Sequence, residues 1–560
     1  MNRKFVGMGC SIVVACIPVA GTGCGSDDVT ERVMFAESLD AFALLGIEKR
    51  VSGPPAAATG ASTVSIAVVD GEMYEGPAGE TQFVTSAVVG YEENGRTYWN
   101  YGRLDPASLV DPSIQWNLPV LADEHTWGGA PVSGRAWGMP AANTMSDGTA
   151  FDSYQGWPTV LSFNRWPMSH IRRDNNLLVY VTVAGSKNGL GGTPRTDLVA
   201  ARSLSGGESF SNPHILTPPP LPHNHRWQID YPTAAAVGEM FHLKYSFVSL
   251  WRQTRIINNV SAETPTWQLS LTDVRFLNPV FQIDKGPVEV PIPPTAGQAK
   301  VVARRHFPIE NPSNHETDVY ILYPTYDDAQ ATCPSGGTVS VEWKLISSSS
   351  DSDFTVWTPA ETVASASTWV NCVGASRGTS GTPWNKQLVR PDLGIDHING
   401  TLYAAIGFNE TPTSFARVRV YKKIAGLSWQ LMFEPSSVDA ASGLPVHDQW
   451  SPALAVARYH DQPTARVGLT WYTTQDWSNN SMNFEDVHRF GTMSFDGGAT
   501  WHSPTGGQIS GFRSIVGYSM GHYQGLAAYP HNPYIFVTGW TDQRSLLNEP
   551  PVVHAASFWP

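Results

Sequence analysis

The sequence is poor in charged residues and in helical patterns. Asp, Glu, Lys and Arg make up 15% of the 560 residues, whereas an average soluble domain has about a quarter. The net charge of −13 argues against nucleic acid or anionic lipid as a general partner, although a local basic pocket is compatible with it. After residue 62 no long helical pattern of apolar residues occurs, which argues against a helical fold.

The chain also lacks the motifs of several common chemistries. It has no G-x-S-x-G nucleophile motif and no phosphate-binding loop, and its Asp-rich segments lack calcium-loop spacing. The histidines of HNH at 223–225 follow a proline-rich segment and have no obvious third ligand, so a loop without metal is favoured. We therefore expect neither a cofactor nor a metal ion.

Glycine, proline and aromatic residues, by contrast, are abundant. The chain has 50 Gly, 42 Pro, 20 Trp, 19 Tyr and 22 Phe. Gly and Pro mark turns and aromatic residues favour strands, so the composition predicts an all-β fold with many short strands. Because 560 residues exceed what one hydrophobic core usually serves, several domains or one architecture of repeated modules is expected.

The first 24 residues have the features of an export signal. Arg3 and Lys4 precede an apolar stretch at 5–20, and small residues follow. The segment GTGCGSDD at 21–28 resembles the lipobox of bacterial lipoproteins, which implies that Cys24 is lipidated. This predicts an exported lipoprotein anchored in a bacterial membrane, such as the outer membrane, on the cell surface or in the periplasm. A plain secretory signal, and hence a secreted protein, is the alternative.

Export leaves Cys333 and Cys372 as a candidate disulfide, because Cys10 and Cys16 belong to the signal. Such a bridge would close a loop of about 40 residues and stabilise the fold by roughly 4 kcal/mol. Two free thiols are the alternative.

Residues 25–62 are interpreted as a tether. Apolar residues at roughly helical spacing predict one short helix near 35–47, and SGPPAAATGAS at 52–62 is typical of a linker. The main domain is placed at 63–560.

A recurring phrase organises the main domain from about residue 150. Its copies are WPTVLSF at 157–163, YPTAAAV at 231–237, RPDLGID at 390–396, SPALAVA at 451–457 and YQGLAAY at 523–529, with AKVVARRHFP at 299–308 as the missing one. Each copy precedes a second strand pattern, for example LLVYVTV at 177–183, so each predicts a β-hairpin.

The repeat length predicts a β-propeller. Units of about 60–80 residues suffice for four strands and a loop, the size of a propeller blade. Six units fill about 150–560, and the segment 64–116 either forms a seventh blade or supplies a strand that closes the ring. We therefore expect six or seven four-stranded antiparallel blades.

The segment SFDGGATW fits the pattern S-x-D-x-G-x-T-W at a strand–turn–strand junction. The pattern residues are Ser494, Asp496, Gly498, Thr500 and Trp501. A weaker copy, SLSGGESF, stands at 203–210, and 343–359 is an eroded third. These residues resemble the Asp box, or BNR repeat, of sialidases and related propellers. The resemblance implies a structural turn between third and fourth strands, on the face away from the ligand.

The candidate site follows from propeller geometry, in which loops before first strands and after second strands open on one axial face. The ligand-binding candidates there are Trp157, Tyr231, Arg252, Arg390, Trp450, Tyr523, Asp542 and Arg544. The catalytic candidates are Asp230, Asp392, Glu410 and Tyr518. Aromatic rings mixed with carboxylates and guanidiniums suit a carbohydrate ligand.

The sialidase resemblance implies a more specific site. Sialidases bind a substrate carboxylate with three arginines and use an Asp acid/base with a Tyr nucleophile. Arg252, Arg390 and Arg544 could form that trio, and Tyr518 lies in a segment similar to that of the nucleophile. The Arg-Ile-Pro motif of sialidases is absent, however, and no motif marks the catalytic Asp.

The expected function is recognition of an extracellular glycan or related polymer on the axial face, with no nucleic-acid partner. The first alternative is a glycoside hydrolase of the exo-sialidase type. The second is a noncatalytic scaffold that binds proteins on its rim. We expect a monomer that meets the membrane through its lipid anchor alone.

Overall fold

A computed structural model describes thirty segments of the chain. They are residues 47–50, 61–69, 73–75, 81–83, 85–93, 96–104, 114–116, 120–121, 159–162, 177–186, 195–203, 207, 210, 214–217, 225–237, 245–257, 260–261, 263–274, 281–306, 316–326, 338–371, 390–408, 417–435, 449–458, 462–473, 486–510, 514–515, 525–528, 535–542 and 552–558. Residues 42–560 belong to one compact unit.

The first eight described strands include those of sheet 1. The eight are β1 (Ile47–Arg50), β2 (Ala61–Val69), β3 (Met73–Glu75), β4 (Thr81–Phe83), β5 (Thr85–Glu93), β6 (Arg96–Leu104), β7 (Ile114–Trp116) and β8 (Val120–Leu121). Sheet 1 has the order β2-β5-β6-β7, with β8 beside β6, while β3 pairs with β4.

Sheets 2 and 3 follow in the chain. Sheet 2 consists of β9 (Thr159–Ser162), β10 (Leu178–Ser186), β11 (Arg195–Ser203) and β12 (His214–Ile215). Sheet 3 consists of β13 (His225–Val237), β14 (Tyr245–Ile257), β16 (Thr266–Val274) and β17 (Phe281–Val290), with β15 (Val260–Ser261) beside β14.

Sheets 4 and 5 repeat the pattern. Sheet 4 consists of β18 (Lys300–His306), β19 (Glu316–Tyr326), β20 (Thr338–Ser349) and β21 (Glu361–Asn371), with a 3-10 turn at Ser350–Ser352. Sheet 5 consists of β22 (Asp392–Ile395), β23 (Leu402–Phe408), β24 (Arg417–Lys423) and β25 (Gln430–Phe433).

The last two sheets differ in how they are completed. Sheet 6 consists of β26 (Gln449–Ala457), β27 (Arg466–Thr473), β28 (Asp486–Ser494) and β29 (His502–Gln508), with β30 (Ser514–Ile515) beside β28. Sheet 7 consists of β31 (Gly525–Ala528), β32 (Phe536–Asp542), β33 (Val552–Phe558) and, as its outer strand, β1. The described residues thus form seven antiparallel sheets, each with a path of four strands and three of them with a short fifth strand, besides the β3–β4 pair.

The all-β prediction is confirmed, and each copy of the recurring phrase begins a hairpin. The paired strands are β9 with β10, β13 with β14, β18 with β19, β22 with β23, β26 with β27 and β31 with β32. The segment 64–116 forms a sheet of its own, sheet 1.

The structure differs from the predicted tether at Ile47–Arg50. These residues, assigned to the linker with Ile47 at the end of the expected helix, form β1 and pair with β33 from Ile47↔Ser557 to Arg50↔His554. Pairing satisfies the backbone groups that an outer strand would otherwise leave open. Residues 35–46, Cys24, Cys333 and Cys372 lie outside the described residues.

The first strands of successive sheets lie side by side. β2 neighbours β9, β9 neighbours β13, and the series continues through β18, β22, β26 and β31, which in turn neighbours β2. The core lies between the sheets. On β14, Phe247 and Trp251 pack toward sheet 2, while Val248 and Leu250 pack toward sheet 4. Because both faces are buried, apolar residues stand next to one another in several second strands, such as LVYVTV of β10 and LYAAIGF of β23.

Contacts between neighbouring sheets fix the direction of their first strands. Asp392 of β22 contacts Lys300 of β18 at 3.0 Å and accepts a hydrogen bond from the Leu454 backbone N–H of β26. Four residues later along each strand, Arg304 and Arg458 reach the Ile398 carbonyl and the Asp396 carboxylate. β18, β22 and β26 therefore run parallel to one another.

Two further contacts extend this direction to sheets 3 and 7. Arg305, near the end of β18, donates to Ser246, near the beginning of β14. Thr470 and Tyr472 of β27 contact Thr538 and Thr541 of β32 in the same order.

The sheets of this group therefore share two ends. We call the end where first strands begin the entry end; Asp230, Lys300 and Asp392 lie there. The opposite end, where third strands lead into fourth strands, is the turn end, with residues 350–360, 424–429 and 495–501. Within the described part of the chain, no helix is long and apolar enough to cross a membrane.

Candidate functional site

A β-bulge in β13 builds a partly exposed charged cluster at the entry end. The register passes from Asp230↔Arg252 to Thr233↔Leu250, so Tyr231 and Pro232 together oppose Trp251. Tyr231 has a φ of 50°, a left-handed backbone conformation that residues other than glycine rarely adopt. Pro232 suits the bulge because it has no N–H to pair. The backbone thereby turns Tyr231 toward Arg252.

The three side chains Asp230, Tyr231 and Arg252 form what we call the Tyr231 cluster. The Arg252 Nη2 lies 3.4 Å from Asp230 Oδ2, and its Cζ lies 4.5 Å from the centre of the Tyr231 ring. The side chains of Arg252 and Asp230 are 20% and 27% exposed, so both reach solvent. The structure thus brings together three of the sequence-predicted site residues.

The electrostatics of the cluster leave both charged groups incompletely satisfied. Burial raises the pKa of the Asp230 carboxyl, and the charge and hydrogen bond of Arg252 oppose that rise. Within the described residues, the buried Nε of Arg252 has no hydrogen-bond partner. A hydrogen bond at 3.4 Å is long, so Arg252 can donate to another acceptor.

A second bulge of the same form occurs in β26. The register passes from Trp450↔Tyr472 to Ala453↔Thr470, and Ser451 has a φ of 47° before Pro452. In this bulge the neighbouring guanidinium belongs to Arg489, a residue of the third strand β28.

Arg489 of β28 is 1% exposed and closes this second bulge. It donates to the Ser451 carbonyl at 3.2 Å and to Thr470 Oγ1 at 2.6 Å, and its Cζ lies 4.8 Å from the centre of the Tyr472 ring. Burial lowers the pKa of Arg489 to about 10, against the opposing effects of Tyr472 and Asp392.

Trp450 corrects one sequence prediction. It was expected to be a stacking platform, but it is 1% exposed and stacks on Tyr472 with ring centres 5.7 Å apart. A ring enclosed in this way cannot present a face to a sugar. The apolar pattern of the strand does not distinguish a ring between sheets from one at the entry end.

The carboxylate of Asp392 is likewise occupied by contacts within the protein. Its Oδ1 accepts from the Leu393 N–H and contacts Lys300 Nζ at 3.0 Å, while Oδ2 accepts from the Leu454 N–H at 2.7 Å. Both oxygens are thus engaged, which disfavours the acid/base role considered for Asp392. The carboxylate instead links three neighbouring sheets.

The remaining predicted residues are not assembled by the described structure. Arg390 is half-buried just before β22, and sheet 4 lies between its sheet and that of Arg252. The side chain of Asp542 lies outside the described residues, as do Trp157, Glu410, Tyr518, Tyr523 and Arg544.

The segment SFDGGATW lies at the turn end, between β28 and β29. Ser494 Oγ donates to Asp496 Oδ1 at 2.9 Å and accepts from the Gly498 N–H at 2.8 Å. Asp496 also accepts from the Thr500 N–H and hydroxyl at 2.8 and 2.5 Å. Gly498 has a φ of 89°, and Trp501 Nε1 donates to its carbonyl at 3.1 Å.

Hydrogen bonds determine the ionisation of Asp496 in this turn. Burial tends to raise the pKa of its carboxyl, but the bonds from Thr500, Ser494 and the Ala499 backbone outweigh burial and lower it. The Trp501 ring stacks on Phe433 of sheet 5, with ring centres 4.4 Å apart. The hydrogen bonds thus lie within the turn, and the ring contact joins the turn to the neighbouring sheet, which is consistent with a structural role.

The weaker copy shares part of this geometry. The Gly207 N–H donates to Ser203 Oγ at 3.0 Å, and Gly207 has a φ of 97°. Phe210, in the place of the tryptophan, packs edge-on against Trp99 of sheet 1. The third segment differs: Asp353 and Phe354 adopt left-handed φ values of 51° and 58° after a 3-10 turn.

Sequence reasoning missed two charged residues near the entry end, Lys300 and Arg489. Arg489 stands in VHRFG, where consecutive residues of a third strand are all buried, and an arginine among buried residues is unusual. Among the described residues, no three His, Cys, Asp or Glu side chains are grouped so as to hold a metal ion.

No protein-family model matches the chain, and no curated protein matches its sequence. Several solved structures are similar to it. An α-L-arabinofuranosidase from Fusarium graminearum is 9% identical, with 71% of this chain and 92% of that chain covered and a TM-score of 0.34. A fucose-specific lectin from Aleuria aurantia is 11% identical, with 71% and 95% covered and a TM-score of 0.31. The NanB sialidase from Streptococcus pneumoniae is 10% identical, with 92% and 98% covered and a TM-score of 0.30.

Proposed function

We propose that the chain is a sialidase-like β-propeller of seven blades, which are sheets 1 to 7. Two observations support this. The seven first strands neighbour one another in a series that returns to its beginning. The seventh sheet draws its outer strand, β1, from the N-terminal side of sheet 1, so that the first described strand pairs with the last one. The SFDGGATW turn is then an Asp box.

We further propose that the propeller binds an extracellular glycan at its entry end. The observation that carries this proposal is the partly exposed Tyr231 cluster on its bulge. An aromatic ring can stack on the apolar face of a sugar, while a guanidinium and a carboxylate bond its hydroxyls or an acidic substituent.

A glycan array with the purified full chain tests this proposal. Arg252→Gln removes the charge from the cluster and should lower affinity for the bound glycans at least about tenfold, since a charge-assisted hydrogen bond contributes about 1.5–3 kcal/mol. Arg255→Gln is the matched control, because Arg255 lies on the same strand but pairs with Glu263 at 2.7 Å. The proposal would be contradicted if both variants lost the same affinity, or if the wild-type protein bound no glycan on the array.

The hydrolase is a second candidate function, favoured by one observation. A carboxyl whose pKa is raised by burial is suited to protonate a leaving oxygen, and Asp230 is such a group. Turnover of a fluorogenic sialoside that disappears in Asp230→Asn, with glycan binding retained, would support an enzyme. Binding without turnover in the wild type supports recognition alone, and silence in both assays supports the protein-binding scaffold.

Export and lipidation of Cys24 complete the proposal. The lipobox-like segment GTGCGSDD is its support. Mass spectrometry of the membrane-extracted protein should find an N-terminal lipidated Cys24, and an unmodified thiol there would contradict it.

A further inference from the structure

A second group of charged side chains lies at the entry end, around the carboxylate of Asp392. Lys300 of sheet 4 contacts this carboxylate at 3.0 Å, and the Lys300 side chain is 29% exposed while that of Asp392 is 11% exposed. The Leu454 N–H of sheet 6 donates to the other carboxylate oxygen. Lys300 therefore reaches solvent where sheets 4, 5 and 6 contact one another. We call Lys300, Asp392 and Arg489 the Lys300 group.

The charges of the Lys300 group do not balance. Arg489 is 1% exposed, and among the described residues it bonds the Ser451 carbonyl and the Thr470 hydroxyl but forms no ion pair. The carboxylate of Asp392 acts on it electrostatically, since it opposes the effect of burial on the Arg489 pKa. One carboxylate thus serves two cations. Because Arg489 is enclosed, the excess positive charge is presented to solvent by Lys300.

Lys300 also has donors to spare. An ammonium group carries three N–H donors, and the described contact of Lys300 with Asp392 engages only one acceptor oxygen. The carboxylate in turn accepts from the backbone N–H groups of Leu393 and Leu454. Lys300 is therefore held in place by Asp392 and can still donate to a ligand.

The Lys300 group and the Tyr231 cluster stand at the same level along their strands. Arg305 of β18 contacts Ser246, which pairs with Val237 of β13. Lys300 precedes Arg305 by five residues, and the proline of the bulge precedes Val237 by five. Because β13 and β18 both begin at the entry end, Lys300 lies level with the bulge.

The two positions are nevertheless separated by the thickness of a sheet. Val301 packs toward sheet 3 and Val302 packs toward sheet 5. Since successive side chains alternate on a strand, Lys300 points toward sheet 5, away from Tyr231. Neighbouring sheets pack about 10 Å apart, which is longer than one sugar ring. A ligand that contacts both positions must therefore contain more than one sugar.

We propose that Lys300 is a second ligand-binding residue of the entry end, which donates to a carboxylate or sulfate group of the glycan. The ligand is then an acidic oligosaccharide that extends from the Tyr231 cluster of sheet 3 to the edge of sheet 5. An anionic group matches the excess positive charge, and its oxygens accept charge-assisted hydrogen bonds. This inference rests on the glycan function proposed above and names the class of glycan.

An array of matched oligosaccharide pairs, probed with the purified full chain, tests the inference. It carries tetragalacturonate beside its carboxyl-reduced form, a sulfated carrageenan tetrasaccharide beside its desulfated form, and further pairs of both kinds. The wild type should bind the acidic member of a pair about tenfold more tightly, as expected for one charge-assisted hydrogen bond. Lys300→Gln should abolish this preference, and Lys300→Arg should retain it. The kind of pair that shows the preference distinguishes carboxylate from sulfate.

Lys344→Gln is the matched control. Lys344 belongs to the same sheet, its side chain is 30% exposed, and it contacts Glu342 at 3.0 Å, but it lies on the third strand and not on the first. This variant should bind every glycan as the wild type does. If Lys300 acted only on the fold, Lys300→Gln would weaken both members of each pair equally, and urea unfolding of the two variants would show the accompanying loss of stability.

Three results would overturn the inference. One is a wild type that does not prefer the acidic members. Another is an unchanged preference in Lys300→Gln. The third is an acidic oligosaccharide that binds more weakly to Lys300→Gln but equally well to Arg252→Gln, because such a ligand would not extend to the Tyr231 cluster. Neutral glycans that lose affinity in Arg252→Gln alone would remove this inference and leave the proposed function standing, whereas a wild type that binds no glycan would remove both.

Discussion

The bulges of β13 and β26 share one backbone form but differ in what surrounds them. Tyr231 and Ser451 both precede a proline, and both have positive φ values, of 50° and 47°. At Ser451 the guanidinium of Arg489 is enclosed and bonds the carbonyl of the strained residue. At Tyr231 the guanidinium of Arg252 stacks on the ring, pairs with Asp230 and belongs to a side chain that is 20% exposed. The bulge is therefore a structural device in both sheets, and it is the solvent-accessible arginine that makes the Tyr231 copy a candidate site.

The two bulges should differ most in the free energy of unfolding that is lost when the arginine of each is removed. Arg489→Ala should lower the free energy of unfolding by about 3 kcal/mol, because the cavity and the unbonded Ser451 carbonyl and Thr470 hydroxyl outweigh the relief of a buried charge. Arg252→Ala should lower it by at most about 1 kcal/mol, since its ion pair is partly exposed. Urea unfolding of both variants measures the two values. If Arg252→Ala is as costly as Arg489→Ala, the Tyr231 bulge is also structural.

The carboxylate that links sheets 4, 5 and 6 should come next in size. Asp392→Ala leaves the Leu454 N–H and Lys300 without their acceptor and should lower the free energy of unfolding by about 2 kcal/mol. Asp392→Asn is the control, because its amide oxygen can still accept from the Leu454 N–H. A smaller loss in Asp392→Asn is expected by urea unfolding. Identical losses would assign the effect to the Lys300 ion pair alone.

Asp230 at the entry end and Asp496 at the turn end should make contributions to stability that change with pH in opposite directions. Asp230 has a raised pKa, so the stability it contributes falls as pH rises from its unfolded to its folded pKa. Asp496 has a lowered pKa, so its contribution is present above the unfolded pKa and is lost as pH falls through the folded pKa.

Unfolding of Asp230→Asn and Asp496→Asn across about pH 3 to 6 checks these signs. The stability of wild type relative to Asp230→Asn should fall with pH, and that relative to Asp496→Asn should rise. Each change should stay below about 1 kcal/mol because both groups reach solvent. Parallel slopes would show that the two environments do not differ as the structure indicates.

The sequence predicted the hairpins well because both faces of the inner strands are buried, so that runs such as LLVYVTV stand out without any knowledge of partners. Asp230, Tyr231 and Arg252 were chosen from the sequence as loop residues before a first strand and after a second strand, whereas the structure places them within β13 and β14, because these strands are longer than their apolar patterns. It missed β1 because IEKR has no apolar alternation and gains its partner from the other end of the chain. It missed Arg489 and misjudged Trp450 because enclosure between sheets depends on tertiary neighbours.

The smallest expected effect concerns the strain that the two bulges share. Ser451→Gly removes the penalty of a positive φ and keeps the carbonyl that Arg489 binds, so it should raise the free energy of unfolding by about 0.5 kcal/mol. Tyr231→Gly relieves the same strain but deletes the ring beneath Arg252, so any gain should be cancelled by lost packing. Thermal unfolding separates the two variants. Equal gains in the free energy of unfolding would show that the Tyr231 ring does not stabilise the folded state.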